Sequence, residues 1–241
     1  MQKASVIIAA KNEEPRISDV LSAVQDHLLV SEIIVISDGS TDKTAEIARS
    51  YGANVTENNR SRGKTLAIKE GLAKAKSDVV ILLDADLKGL TSQNVTDLAK
   101  PVLDNQVDFT LSYRGNSSHI YKWFHIDFVS GERAIKKELL SDPAIWARPD
   151  LGYGLETLMN NSFLDRGKTF ISVPLLNLYA TPKKEKGGGK WKGFVDEFMM
   201  VFNIFRAFPF YRVGILFVEM AILADRYKRH IEKNSHDKKD K

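Results

Sequence analysis

Apolar positions in the first half of the chain come in short blocks, and the segments between the blocks follow a helical period. "ASVIIAA" (4–10), "EIIVIS" (32–37), "NVTE" (54–57), "DVVILLD" (78–84) and "VDFTLSY" (107–113) read as strands. Between them, "EPRISDVLSAVQDHLL" (14–29), "TDKTAEIARSYG" (41–52), "GKTLAIKEGLAKA" (63–75) and "TSQNVTDLAKPVLDN" (91–105) read as helices. Pro15 suits a first helical turn and Gly52 a helix stop. Leu66, Ile68 and Leu72 mark the apolar side of the third helix. Strands alternating with helices predict an α/β fold with a mostly parallel central sheet flanked by helices. Ligands of such sheets bind beyond the carboxyl ends of the strands.

The second half is patterned differently. "SGERAIKKELL" (130–140) predicts a turn leading into a helix, and "PDLGYGLETLMNNSFLDRG" (149–167) a Gly-rich loop followed by an amphipathic helix. "TFISVPLLNLY" (169–179) predicts a strand interrupted at Pro174, and "TPKKEKGGGK" (181–190) a mobile basic loop. From Trp191 to about Tyr227 the chain is very apolar, which predicts two helices split at Pro209. Its unbroken apolar runs fall far below the roughly 18–20 residues of a membrane span. Core packing uses part of this segment. A homodimer interface is expected for the remainder, with peripheral membrane contact as the second option.

Composition narrows the classes. Of 241 residues, 43% are hydrophobic and 27% charged, ordinary values for a globular protein. The chain has no cysteine, so disulfides and Cys-based zinc sites are excluded. The net charge is +4, yet Arg226–Lys241 alone holds seven Lys/Arg against three Asp/Glu. The remainder is neutral overall, so no nucleic-acid footprint is expected. The basic tail (229–241) reads as solvated and disordered, with an anionic membrane surface as its alternative partner. Met1–Lys3 leads straight into the first strand without a leader-like apolar segment. The expected location is therefore the cytoplasm, including the inner face of the membrane.

Three polar punctuations mark strand ends: "AKNEE" after the first strand, "SDGSTD" after the second and "DADLKG" after the fourth. Alternation along a strand puts Asp84 and Asp86 on one face, with Ala85 between them. Two carboxylates there suit a hard divalent cation, Mg²⁺ or Mn²⁺, that shares its shell with phosphates. A solvated strand-end loop would read the same in isolation. Asp38-Gly39 makes a tight turn before a capped helix, which is the bland reading, or leaves Asp38 to accept a hydrogen bond from a ligand. Arg60, Arg62 and Lys64 precede a helix N-terminus, a natural place for anionic groups.

The order "VIIAAKNEE … IIVISDGSTDKTAEIA … SRGKTLAIKEGL … VVILLDADL" resembles the nucleotide-sugar-binding half of family 2 glycosyltransferases with the GT-A fold. The resemblance is close over about Ser5–Leu87 and looser to about Lys190. It implies a metal-dependent transfer from a nucleotide sugar, UDP-linked in preference to GDP-linked, to an acceptor it does not identify. By the same resemblance Glu13 and Asp38 hold the nucleoside, flanked by Ala10 and Gly39, and Lys64 lies near the nucleotide. Asp86 coordinates the metal on the diphosphate, with Ala85 beside it and Asp84 near the ribose or the metal. "SGERAIKKELL" and "GYGLETLMN" are similar to segments of the branch that includes glucosyl-3-phosphoglycerate synthase. Ser130 and Gly131 would then border the donor sugar, Glu132 would bond its hydroxyls, and Glu156 would be the base of an inverting displacement. That branch adds a His metal ligand about twenty-five residues after the Gly-rich motif. Here "LLNLYATPKKEKGGGK" has no His, so another residue or water completes the shell or metal binding is weakened. Lys183, Lys184, Lys186 and Lys190 of the basic loop either fold over the diphosphate and supply charge or form a solvated charge run.

The resemblance divides the chain into a catalytic domain (1–190), a helical segment (191–228) and the tail. The domain splits into a nucleotide-sugar half (1–113) and an acceptor half (114–190). A sugar-phosphate nucleotidyltransferase is a rival reading, although "AAKNEEPR" lacks the glycines of its phosphate loop. A non-catalytic nucleotide-binding or membrane-associated scaffold is the other.

Overall fold

A computed structural model describes residues 2–117, 123–150, 154–180 and 209–237. The first half alternates as the pattern predicts: β1 (Ala4–Ala10), α1 (Ile17–Val24), β2 (Val30–Asp38), α2 (Thr44–Ser50), β3 (Asn54–Asn58), α3 (Lys64–Lys74), β4 (Val79–Asp84), β5 (Leu87–Lys88), α4 (Ser92–Leu103) and β6 (Phe109–Arg114). Then come β7 (Arg133–Lys136), two 3₁₀ turns, α5 (Leu155–Asp165), β8 (Phe170–Leu175), β9 (Tyr179–Ala180) and α6 (Phe210–Asp237). The seven-stranded sheet has the order β3-β2-β1-β4-β7-β6-β8. β7 is antiparallel to both its neighbours, and the other pairings are parallel.

Period-2 alternation sends each strand into two cores. Val79, Ile81 and Leu83 of β4 join α1 and α4 on one face, through Ile17, Leu21, Val95 and Leu98. Val80 and Leu82 face the other way, toward Ile68 of α3, Met159 and Phe163 of α5, and Leu216 and Met220 of α6. Phe109 anchors that second core, 5.0 Å from the Phe170 ring and 4.9 Å from Phe163. Because both faces are covered, β4 is apolar from Val79 to Leu83 and the buried stretches of β1 and β2 are nearly so, and all three turn polar at their carboxyl ends.

Four expectations change. Residues 133–136 are a strand, β7, and 137–141 a 3₁₀ turn, where a helix was expected. Ala134 and Ile135 are fully buried between β4 and β6, and this sheet position outweighs the helix propensity of "KKELL". β8 runs through Pro174 without interruption. Among the described residues it is the last strand of the sheet, and an edge strand tolerates a residue without an N–H. The first helix is confined to Ile17–Val24, after Pro15 rather than around it. Finally, α6 continues to Asp237, so most of the segment read as a disordered tail has a helical backbone.

α6 begins just after Pro209, where the split was expected, and the segment before Pro209 lies outside the described residues. Val213, Leu216, Met220 and Ala224 of α6 are buried on the sheet side. Its outer face exposes Tyr211, Ile215, Val218 and Ile222. Those positions are where the expected dimer or membrane contact would fall. Among the described residues, no helix is long and apolar enough to cross a membrane.

Candidate active site

The carboxyl ends of β1, β2 and β4 form one rim because β1 lies between the other two, in register with both. Backbone and side chains knit the first two punctuations together. Asn12 N–H donates to Ser40 Oγ at 3.1 Å, and Thr41 N–H to Asn12 Oδ1 at 2.8 Å. Glu13 N–H donates to Thr44 Oγ1 at 2.8 Å, and Lys43 N–H to Glu14 Oε2 at 3.0 Å. The Glu13 carboxylate accepts from Arg16 Nε at 2.5 Å. Ala10 closes β1 beneath this seam, buried opposite Ser37.

Asp38 organises the next loop. Its carboxylate accepts from Ser61 Oγ at 2.8 Å, Arg62 N–H at 3.0 Å and Gly63 N–H at 2.8 Å. Gly39, at φ 72°, lets this loop approach: a Cβ there would sit 2.5 Å from Ser61 N. Burial pushes the Asp38 carboxyl up, but the hydrogen bonds from Arg62, Ser61 and Gly63 outweigh burial and hold it below the usual carboxylate range. A carboxyl depressed in the folded state contributes stability above its unfolded value near 4, and that contribution is lost as pH falls through the folded value. Asp38→Asn should therefore lower the melting temperature at pH 7 by about 4–8 °C, from about 2 kcal/mol of charged hydrogen bonding. It should also flatten the acid limb of a melting-temperature profile, and an unchanged acid limb would contradict this role.

The loop ordered by Asp38 delivers Lys64 at the start of α3. Its ammonium lies 2.7 Å from Asp84 Oδ1 and 3.0 Å from Glu156 Oε1. Residues from α3, β4 and α5 thus converge on one charge. Burial pulls the ammonium toward neutrality, but the charges of Asp84 and Glu156, and its bonds to them, outweigh burial and hold it well above the ordinary lysine value. Gly131 packs on the same pair, and a Cβ there would fall 2.9 Å from Asp84 Oδ2 and 3.0 Å from Lys64 Nζ.

β4 ends at Asp84, and Ala85–Asp86 form the turn into β5. Asp84 and Asp86 are still half-buried with a buried Ala85 between them, so the alternation continues past the strand. β5 pairs antiparallel with β9, and Asn177 Nδ2 donates to Gly89 O at 2.7 Å, which fixes the far side of the turn. Both aspartates suit a hard cation by donor type. Among the described residues no three His, Cys, Asp or Glu converge as a cage, so a cation here would complete its shell from a ligand and water.

Ser130 and Glu132 lie under this turn rather than on its surface. Both are fully buried. Glu132 Oε2 accepts from Ser112 Oγ at 2.9 Å and Ser130 Oγ at 2.8 Å, and Oε1 accepts from Arg114 Nη1 at 3.2 Å. Arg133 is also fully buried and donates through Nε and Nη2 to Ser130 O and through Nη1 to Asn160 Oδ1. Asn160 stands one helical turn after Glu156 on α5, so this clamp ties the candidate base to the 130–132 turn. Arg114, Arg133 and Asn160 do not stand out in the sequence. The available signal was Arg114 at the end of β6, as Asp84 stands at the end of β4. Lys186 lies outside the described residues.

The model of the family described as "Glycosyl transferase family 2" matches residues 5–145. The chain belongs to that family. The chain is similar to 4,4'-diaponeurosporenoate glycosyltransferase of Staphylococcus haemolyticus, 42% identical over 93 residues, which are 36% of this chain and 25% of that protein. The Staphylococcus aureus USA300 protein of the same name is 36% identical over 99 residues, 39% of this chain and 26% of its own. The matched stretch therefore spans about a quarter of those relatives. Among solved structures, glucosyl-3-phosphoglycerate synthase from Mycobacterium tuberculosis, in complex with Mn²⁺ and UDP-glucose, superposes with TM-score 0.62 at 26% identity, over 77% of this chain and 74% of that one. Another structure of that enzyme gives TM-score 0.67 at 23% identity, over 86% and 80%, and shares the GT-A fold. As a member of this family, the chain carries its converging carboxylates and lysine at the rim where this fold class binds ligands.

Proposed function

We propose that this chain transfers a sugar from a nucleoside-diphosphate sugar, UDP-linked in preference to GDP-linked, to an acceptor hydroxyl. The observation that carries the reading is the meeting of Lys64, Asp84 and Glu156, from three separate sequence motifs, within 3.0 Å contacts at one strand rim. UDP-glucose with Mn²⁺ in the 26%-identical synthase supports the choice of donor and cation. By their names, the relatives glycosylate 4,4'-diaponeurosporenoate or make glucosyl-3-phosphoglycerate, so they supply no single acceptor for this chain.

The roles follow from position. The seam of residues 11–14 and 40–44, with the loop held by Asp38, forms the wall for the nucleoside. Asp86 and Asp84 would hold Mg²⁺ or Mn²⁺ with the diphosphate. When bound, such a cation stabilises the negative charge that gathers on the departing diphosphate. Lys64 adds a second positive charge on the same side. Gly131 keeps the sugar side of the rim open, and Arg133 with Asn160 fixes the turn behind it. Glu156 takes the acceptor proton as the acceptor oxygen bonds to the anomeric carbon and the bond to the diphosphate breaks.

A thermal-shift panel of UDP, GDP, dTDP and their sugars, with and without Mn²⁺, tests the donor assignment. One nucleotide series should raise the melting temperature, and only with Mn²⁺ present. No shift with any member would sink the reading in favour of a non-catalytic scaffold. Mn²⁺-dependent hydrolysis of the donor separates enzyme from scaffold independently.

A further inference from the structure

Lys64 occupies the place where a cation would be drawn. Its Nζ lies 2.7 Å from Asp84 Oδ1 and 3.0 Å from Glu156 Oε1, so a divalent ion bound to the Asp84 carboxylate would meet a positive charge at close range. The seat is built for it: Gly131 leaves space where any Cβ would stand 3.0 Å from Nζ, and Glu156 is buried beside it. The ammonium thus both repels a divalent ion and engages an oxygen that the ion would use. With no cage of three ligands among the described residues, the protein offers the ion little in exchange.

We propose that Lys64 is a built-in counter-ion that makes divalent-cation binding at Asp84 and Asp86 conditional on a nucleoside diphosphate. The inference rests on the donor-site reading above. A diphosphate offers Lys64 a new anionic partner, which releases Asp84, and it also brings the oxygens that complete the cation's shell. Binding of the two ligands is then coupled, and each must tighten the other by the same factor. Lys64 is half-buried with its charged end at the rim, so its replacement leaves both cores intact.

Mn²⁺ titrations followed by electron paramagnetic resonance, on the full chain with and without UDP or GDP, test this directly. Wild type should bind Mn²⁺ weakly alone and much more tightly with the nucleotide. Lys64→Gln should bind nucleotide-free Mn²⁺ roughly tenfold tighter than wild type or better, because one repulsive charge is gone. The factor by which nucleotide improves Mn²⁺ binding should shrink to match. Lys64→Arg keeps the charge and should keep the wild-type weakness. Unchanged nucleotide-free affinity in Lys64→Gln, with Mn²⁺ and UDP or GDP still binding wild type together, would overturn the counter-ion role and leave the donor site standing. Equal behaviour of the Arg and Gln variants would overturn it too. Failure of wild type to bind either nucleotide with Mn²⁺ would overturn both this role and the donor-site reading.

Discussion

Asp86→Ala should lose about a thousandfold in donor turnover, close to 4 kcal/mol of transition-state stabilisation, while melting near the wild-type temperature without ligand. The asymmetry follows from its place. Asp86 sits in the turn between β4 and β5, half-exposed, and the strand that presents it is held by Ile81, Leu82 and Leu83 in the two cores. Removing its carboxylate takes away cation affinity and little packing. Release of nucleoside diphosphate from the donor, followed with Mn²⁺ at saturating donor, gives the rate. The Mn²⁺-dependent thermal shift by UDP should vanish in the same variant. Wild-type turnover by Asp86→Ala would remove the cation from the mechanism at this position.

Glu156→Gln should lower kcat by about 10²–10⁴ with little change in donor affinity, as expected for loss of a general base. Gln preserves an oxygen for the Lys64 contact, and Glu156 is buried at the start of α5, so the shape of the site is retained. Only the proton acceptor is lost. Near-wild-type turnover at saturating acceptor would exclude Glu156 as the base. A product that retains the donor's anomeric configuration would exclude simple displacement and give this carboxylate another role. Hydrolysis of the donor by water offers a rate before the acceptor is known.

The legible part of this protein is the part where neighbours in space are neighbours in pattern. β1, β2 and β4 are apolar because both sheet faces are covered, and their polar ends stand out against that background. Asp38, Asp84 and Asp86 were visible for this reason, and Lys64 because it opens a helix beside two arginines. What the linear pattern hid is long-range pairing. "ERAIKKELL" carries helix formers, yet Arg133–Lys136 becomes a strand because β4 and β6 leave a gap between them that only a third strand fills. Once the segment reads as a helix, Arg133 looks like a surface residue. In the fold it is among the largest fully buried side chains, satisfied by Ser130 O and Asn160. Glu132 likewise looks like a ligand contact in the sequence and proves to be bonded by Ser112, Ser130 and Arg114 beneath the turn. A carboxylate's partners are distant in sequence, so its availability cannot be judged from its neighbours in the chain.

The two outermost strands have a bearing on how copies of this chain meet. β3 closes one margin with Asn54, Thr56, Glu57 and Asn58, and Glu57 is engaged by Arg49. β8 closes the other with Pro174, which has no hydrogen to donate. Polar and charged side chains at one margin, and a gap in the donor row at the other, are the features that discourage strand-to-strand templating between molecules. The sheet is therefore terminated against runaway addition of further strands. Crowding or partial unfolding should drive this chain toward contacts between helices before it drives it toward extended β aggregates.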